Sequence, residues 1–144
     1  PPAPISSASR CPEAGMRELR WQWFWLAAGT ALVLVITWLC LRPWSGGGQL
    51  FPYADKFQHA VAFLALGGLL LALVERSRYA ALCAALLAFG GAIEVAQYLM
   101  PYGRSAEWAD LAADGLGIAL AALASLAIRE SWLQRIERWL GARG

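Results

Sequence analysis

The sequence predicts an all-α membrane protein, with four transmembrane helices at about residues 21–41, 54–74, 79–99 and 106–128 and an amphipathic interfacial helix at 129–140. Composition is the first observation behind this prediction, because 59% of the residues are apolar and only 15% are charged. A soluble domain usually carries about 25% charged residues. The second observation is length, because each apolar run reaches about 20 residues, enough for an α-helix to cross a bilayer.

The first fifteen residues do not share this pattern. They are rich in proline and serine and show no apolar period, whereas Met16 opens a segment typical of a natural start before a membrane span. We therefore predict that residues 1–15 are a disordered or non-native extension. Residues 16–144 are then expected to form a single four-helix transmembrane domain.

The first apolar run, residues 21–41, contains no charged residue. It exceeds the roughly 7–15 residues of a signal-peptide core, and no small-residue cleavage site follows it, so we predict a retained transmembrane helix. Tryptophans flank both of its ends, as expected where a helix meets the membrane interfaces. They are Trp21, Trp23 and Trp25 at one end and Trp38 and Trp44 at the other.

Turn residues separate the next three runs. Asp55 is predicted to cap the N-terminus of the second helix, because a side-chain oxygen there satisfies a free backbone N–H. The third run is interrupted only by Glu94 and Gln97, and Ser105 is the expected N-cap of the fourth helix.

The C-terminal segment, residues 129–140, has the pattern of an amphipathic helix lying along the membrane surface. Its apolar face carries Trp132, Leu133, Ile136, Trp139 and Leu140. Its polar face carries Arg135, Glu137 and Arg138. A solvated tail is the alternative interpretation.

Basic residues predict the orientation. With four spans, one side of the membrane receives Arg10, Arg17, Arg20, Arg76, Arg78, Arg129, Arg135, Arg138 and Arg143. The other side receives only Arg42, Lys56 and Arg104. Because basic residues favour the cytoplasmic side, we predict a multi-pass membrane protein with both termini in the cytoplasm. The net charge of +2, without a basic tract, argues against a nucleic-acid partner.

Polar residues inside three of the apolar runs share one depth. From the helical rise of 1.5 Å per residue, His59, Glu94 and Asp114 should lie roughly 6–12 Å below the outer ends of their helices. Spacings of three and four residues place the polar groups of each helix on one face. The sequence therefore predicts an outward-opening polar pocket. Its expected residues are Asp55, Lys56, His59, Glu94, Gln97, Arg104, Asp110 and Asp114.

Four motifs in this region resemble those of the VanZ-like family of small bacterial membrane proteins. They are Asp55-Lys56-x-x-His59-x-x-x-Phe63, Glu94-x-x-Gln97, Arg104, and Asp110-x-x-x-Asp114-x-x-Gly117. The resemblance covers about residues 54–122 and departs at Asp114, where the family commonly has asparagine. It implies a multi-helix protein of the bacterial cytoplasmic (inner) membrane with a role in the bacterial envelope. The founding member of the family is linked to low-level resistance to the glycopeptide teicoplanin.

The chemistry of the pocket stays open at this point. Intramembrane ionisable groups are by default functional candidates, but interhelical hydrogen bonds also serve packing alone. His59 and Glu94 are the candidates for an acid–base pair. A metal site from His59, Glu94 and Asp114 departs from the usual ligand sets, so neither a metal nor a cofactor is expected.

Several enzyme classes are disfavoured. A nucleophilic triad lacks a serine or cysteine at the depth of His59. The three cysteines are dispersed and predict no disulfide. Acids outnumber bases in the outer half, although Lys56 and Arg104 would suit one anionic group. We therefore expect an envelope protein, either non-enzymatic or of unproven enzymatic activity, that lies in the lipid bilayer and binds an amphiphilic or lipid-linked ligand or an envelope-assembly partner. A membrane enzyme acting on a lipid-linked substrate at the outer leaflet is the alternative, and oligomerisation is left open.

Overall fold

The computed structural model describes residues 15–42, 53–100, 107–128 and 130–141. Its helices are α1 (Gln22–Leu41), α2 (Ala54–Leu73), α3 (Tyr79–Leu99), α4 (Trp108–Ala127) and α5 (Trp132–Gly141), with a short 3-10 helix at Arg76–Arg78 before α3. The first four are long and apolar enough to cross a membrane. The predicted all-α fold with four candidate membrane spans is therefore confirmed. The division at residue 15 stays a prediction, and residues 1–14 lie outside the described ranges.

The N-cap residues of α2 and α4 differ from the sequence prediction. The N-cap of α2 is Tyr53, in the left-handed region with φ of 67°, and not Asp55. Asp55 does not occupy the cap position because α2 already begins at Ala54, and its carboxylate pairs with the neighbouring Lys56. The N-cap of α4 is Glu107, two residues beyond Ser105, which lies outside the described part of the chain.

Helices α2 and α4 approach so closely that their backbones touch. A Cβ atom placed on Gly117 of α4 would overlap the carbonyl oxygen of Ala60 in α2. One turn further along, a Cβ on Gly67 would lie 3.0 Å from the Cβ of Ala121. Small residues permit this approach, as in many pairs of membrane helices. The contact fixes the rotation of α2 against α4 and therefore the direction of their polar side chains.

A hydrophobic core lies directly beneath the polar cluster, which consists of Asp55, Lys56, His59, Glu94, Glu107, Asp110 and Asp114. Its buried residues are Ile36, Phe63, Leu66, Leu86, Ile93 and Ile118, contributed by all four long helices. Outward faces of the same helices carry exposed leucines such as Leu34, Leu87 and Leu123. Apolar side chains on both the inside and the outside are typical of a bundle whose solvent is lipid.

The opposite end of the bundle is joined by arginines. Nε of Arg17 donates a hydrogen bond to the carbonyl of Val74 at 2.8 Å. Nη2 of Arg76 donates to the carbonyl of Ile128 at 2.9 Å. These carbonyls lie just past the C-termini of α2 and α4, where carbonyl groups lack helical partners. The segment before α1, the α2–α3 turn and the end of α4 thus meet at the end remote from the polar cluster.

Helix α5 packs against the end of α2. The side chain of Leu133 is completely buried against Ala72 and Leu73. The hydroxyl of Ser131 donates to the carbonyl of Ala72 at 2.8 Å. The amphipathic C-terminal helix is therefore present, but it begins at Trp132 and not at residue 129.

Glu137 of α5 holds the start of α1, although the sequence pattern placed it on a solvated polar face. Its carboxylate accepts the backbone N–H groups of Arg20 at 2.7 Å and Trp21 at 2.9 Å, and the indole N–H of Trp25 at 2.9 Å. No side chain from the N-cap residue itself caps α1. Burial raises the pKa of Glu137, but the N–H groups of Trp21 and Arg20 outweigh it and hold that pKa below its usual value.

Candidate functional site

Polar side chains from α2, α3 and α4 converge at the end of the bundle that lies away from α5. His59, Glu94 and Asp110 are each 6% exposed, and Asp114 is completely buried. Isolated charges are expensive to bury, so each group needs a partner or a neutral state. The hydrogen bonds below show which partners the fold supplies.

His59 and Asp114 form a buried pair between α2 and α4. Nδ1 of His59 lies 2.9 Å from Oδ1 of Asp114. An ionised Asp114 accepts the proton of Nδ1, which leaves Nε2 as the free ring nitrogen. Gly90 of α3 makes space for this pair, because a Cβ there would lie 2.5 Å from Oδ2 of Asp114. The hydrogen-bond partner of His59 is therefore Asp114, whereas the sequence suggested Glu94 as the other half of an acid–base pair.

Lys56 joins the starts of α2 and α4. Its Nζ lies 2.7 Å from Oε2 of Glu107, 3.1 Å from Oδ1 of Asp110 and 3.1 Å from Oδ2 of Asp55. Three carboxylates thus surround one ammonium group. Acids in the first turn also interact favourably with the positive end of a helix dipole. Lys56 is engaged by its own protein, whereas the sequence suggested that it would suit an anionic ligand.

Glu94 connects α3 to the start of α4. Its Oε2 accepts the backbone N–H of Glu107 at 3.0 Å. Its Oε1 is buried and has no hydrogen-bond partner among the described residues, and the same holds for Oδ2 of Asp114. Native structures rarely leave buried polar atoms unpaired, so these two oxygens mark the place where the cluster is incomplete.

Gln97 lies beside the cluster and connects two helices. Its Nε2 donates to the carbonyl oxygen of Cys40 at 2.9 Å. Cys40 belongs to the last turn of α1, where carbonyls lack helical partners. The amide therefore fixes the C-terminal end of α1 against α3.

A cleft between α1 and α2 leads to His59. Its apolar wall is formed by Ile36, Leu39, Ala62 and Phe63. Its polar end is formed by Arg42, Asp55, Gln58 and His59, with Cys40 beside them. The guanidinium of Arg42 also lies 5.8 Å from the ring centre of Trp38. The surface of the cleft is thus continuous and changes from apolar side chains at one end to polar and charged side chains at the other.

The structure brings most of the predicted pocket residues together. Asp55, Lys56, His59, Glu94, Asp110 and Asp114 converge, Gln97 lies beside them, and Arg104 lies outside the described residues. Sequence reasoning missed Glu107, Arg42 and Gln58 as members of the site. Their positions near the start of α4, the end of α1 and the start of α2 were the available signal, but the local sequence does not determine which way each side chain faces.

Two groups of three side chains have metal-binding spacing within the described ranges. A ring nitrogen of His59 and one carboxylate oxygen each of Glu94 and Asp110 all lie within 4.8 Å of one another. One oxygen each of Asp55, Glu107 and Asp110 satisfies the same limit.

Comparison with known proteins adds one finding. The family model described as VanZ/LLP1 matches residues 16–129, which is most of the chain and includes the whole polar cluster. No curated protein and no solved structure matches this chain.

Proposed function

This chain belongs to the VanZ/LLP1 family, and from that premise we propose that it binds an amphiphilic or lipid-linked molecule of the bacterial envelope. The binding site is the cleft between α1 and α2 together with the polar cluster at its end. The protein resides in the cytoplasmic membrane with both termini in the cytoplasm, so the site opens outward.

The cleft is the observation that carries this proposal. An amphiphile has an apolar chain and a polar head, and the cleft offers Leu39 and Phe63 to the chain and Arg42 and His59 to the head. Ligand sites are typically apolar surfaces with a few convergent polar groups that fix orientation. Arg42 is the cationic group suited to a phosphate or carboxylate head, since a planar guanidinium binds such anions in bidentate fashion.

The distribution of basic residues supports the orientation. Arg17, Arg76 and Arg78 lie at the bundle end remote from the cleft, near the hydrogen bonds to Val74 and Ile128. Cytoplasmic segments next to membrane helices carry an excess of such residues. The cleft then faces the outer leaflet, where lipid-linked envelope precursors and glycopeptide targets are found. On this basis the protein contributes to envelope homeostasis or to glycopeptide resistance of the teicoplanin type.

Native mass spectrometry of the full chain in mild detergent tests the binding site. We expect the wild type to retain a lipid or lipid-linked molecule. Ala62 lines the cleft, whereas Ala119 is exposed on α4, a helix that does not line the cleft, so Ala62→Phe and Ala119→Phe form a matched pair. Ala62→Phe should lose the bound molecule and Ala119→Phe should keep it. Equal retention by both variants would exclude the cleft as the binding site.

A membrane-embedded acid–base enzyme acting on a lipid-linked substrate is the second candidate. The pairing of His59 with Asp114 favours it, because a carboxylate that orients an imidazole is a recurrent feature of general-base catalysis. Glu94 lies beside the pair with one unpartnered oxygen. Incubating the isolated ligand with wild type and with His59→Gln separates the two functions. Chemical turnover by the wild type alone supports the enzyme, and unchanged ligand supports binding.

A further inference from the structure

We propose that His59, Glu94 and Asp110 form a binding site for a divalent metal ion at the outer end of the bundle, with Asp114 as the residue that positions His59. The site goes beyond amphiphile binding and does not depend on it.

The spacing of the three side chains is the first observation. One potential ligand atom from each residue lies within 4.8 Å of the other two. Metal–ligand bonds of about 2.0–2.2 Å to nitrogen and oxygen place two ligands of one ion at most about 4.4 Å apart. The limit of 4.8 Å is close to this separation, so a bound ion would draw the three side chains slightly together.

The hydrogen bond between His59 and Asp114 is the second observation. Metal-bound histidines typically donate their other ring N–H to a carboxylate, which fixes the tautomer and increases the basicity of the ligand nitrogen. In this chain Nδ1 of His59 lies 2.9 Å from Oδ1 of the completely buried Asp114. The arrangement leaves Nε2 of His59 for the ion.

The unpartnered oxygen of Glu94 is the third and independent observation. Glu94 is 6% exposed, and its Oε1 has no hydrogen-bond partner within the described ranges. Its other oxygen is held by the N–H of Glu107, so the carboxylate has one oxygen anchored and one available. A buried acceptor of this kind is satisfied by a cation.

Lys56 shows why the neighbouring carboxylate group is not the metal site. Asp55, Glu107 and Asp110 have suitable spacing, but all three pair with the ammonium of Lys56 at 2.7–3.1 Å. The ammonium of Lys56 is therefore the cation of that group. Asp110 belongs to both groups, because it uses Oδ1 for Lys56 and has Oδ2 for a metal ion. Within the described residues Glu94 pairs with no lysine or arginine, so its carboxylate is available to a metal ion beside His59.

The ligand types indicate the class of ion. One imidazole and two carboxylates combine a ligand suited to zinc with ligands suited to manganese and magnesium. We therefore assign the site to Zn²⁺ or Mn²⁺ and choose Zn²⁺ as the probe. Three protein ligands also leave one coordination position of zinc open to water or to an anionic head group.

The test uses the full chain in mild detergent, stripped with a chelator and then exposed to Zn²⁺ alone. We expect one equivalent of zinc after gel filtration and a rise in melting temperature. His59→Gln and Glu94→Gln should lose stoichiometric zinc. Asp114→Asn keeps an acceptor for Nδ1, so zinc affinity should fall about tenfold, the smaller end of the effect of altering a ligand's hydrogen-bond partner. Glu130→Gln removes an exposed acid beside α5, at the end of the bundle away from the cluster, and should retain one equivalent.

Two outcomes would overturn the metal site: no zinc bound by the wild type, or equal binding by the wild type, His59→Gln and Glu94→Gln. X-ray absorption of the zinc-loaded wild type keeps the question decidable if a variant fails to fold. Nitrogen and oxygen neighbours support the site, and sulfur neighbours assign the zinc to cysteine and exclude it. Amphiphile retention measured in the presence of chelator tests the proposed function separately, so either can fail alone.

Discussion

Gly90 of α3 and Asp114 of α4 are complementary in shape, because the missing side chain of the glycine provides the space for the carboxylate. A Cβ on Gly90 would lie 2.5 Å from Oδ2 and 3.2 Å from Cγ of Asp114, and 3.3 Å from the ring of Phe63. The adjacent Gly91 has no atom within 4 Å of the corresponding position. The absence of a side chain at Gly90 is therefore required for the packing of Asp114, whereas a side chain at Gly91 would meet no neighbour.

Gly90→Ala should destabilise the protein, and Gly91→Ala should not. The added methyl group at Gly90 displaces a buried carboxylate, and overpacking of this kind typically costs about 1–3 kcal/mol. Replacing the open Gly91 removes backbone freedom from the unfolded chain and should leave stability equal or slightly higher. Thermal melting of both variants in the same detergent measures the difference. Equal melting temperatures would contradict the packing described for Gly90.

Glu137→Gln should loosen the contact between α5 and the start of α1. The substitution replaces charge-assisted hydrogen bonds to the N–H groups of Arg20 and Trp21 with weaker neutral ones, at a loss of about 1 kcal/mol. Hydrogen exchange of the first turn of α1 should accelerate. Glu130→Gln is the control, because Glu130 pairs with Arg138 on the exposed side of α5 and such pairs contribute little. Identical exchange in both variants would remove the role assigned to Glu137.

The same carboxylate predicts a pH dependence. The pKa of Glu137 is lowered in the folded protein, so its charge contributes stability that is fully present above the unfolded pKa of about 4.3. This contribution is lost as the pH falls through the lower folded pKa. The difference in melting temperature between wild type and Glu137→Gln should therefore be constant from pH 7 to about pH 5 and shrink below about pH 4. A difference that grows on acidification would reverse the sign of the assigned shift.

Labelling of single cysteines tests the orientation. In a background without native cysteines, Ser105→Cys should react with an impermeant thiol reagent on intact cells, and Ser77→Cys should react only after permeabilisation. Ser77 lies in the short helix between α2 and α3, at the arginine-rich end of the bundle. The opposite labelling pattern would place the polar cluster in the cytoplasmic half of the membrane.

The spans of the helices could be predicted because hydropathy and length are local properties of the chain. The third run was predicted at residues 79–99 and α3 is Tyr79–Leu99. Helix starts were less predictable, since distant residues determine them. The start of α1 is held by Glu137, and the N–H of Glu107 before α4 is held by Glu94. No local pattern contains these pairings.

The same distinction between local sequence properties and distant pairings applies to the candidate site. Helical rise alone indicated that His59, Glu94 and Asp114 share a depth, and the structure brings these residues together. The choice of Asp114 as partner of His59 depends on the rotation of α2 against α4, which the contact of Gly117 with Ala60 determines. Glu107 was not predicted as a pocket residue, because its bond to Lys56 spans 51 residues of sequence.

Glu94→Gln separates a packing network from a functional site. The glutamine keeps the size of the side chain and still accepts the N–H of Glu107, but it cannot ionise. If the cluster serves only packing, membrane abundance, melting temperature and envelope phenotype should all stay near those of the wild type. If the cluster binds a cation or exchanges protons, we expect normal membrane abundance but loss of the envelope phenotype. His59→Gln should then give the same result as Glu94→Gln.

Asp114→Asn should be the mildest of the three changes, because its amide oxygen can still accept the proton of Nδ1 of His59. The measurement pairs abundance and melting with glycopeptide susceptibility and envelope stress, in a deletion strain complemented by each variant. Ala119→Phe, at an exposed position of α4, is the control for a substitution outside the site. Full complementation by both Glu94→Gln and His59→Gln would leave the cluster a packing role only. Each variant removes one of the two titratable groups that metal binding and proton exchange at this site require.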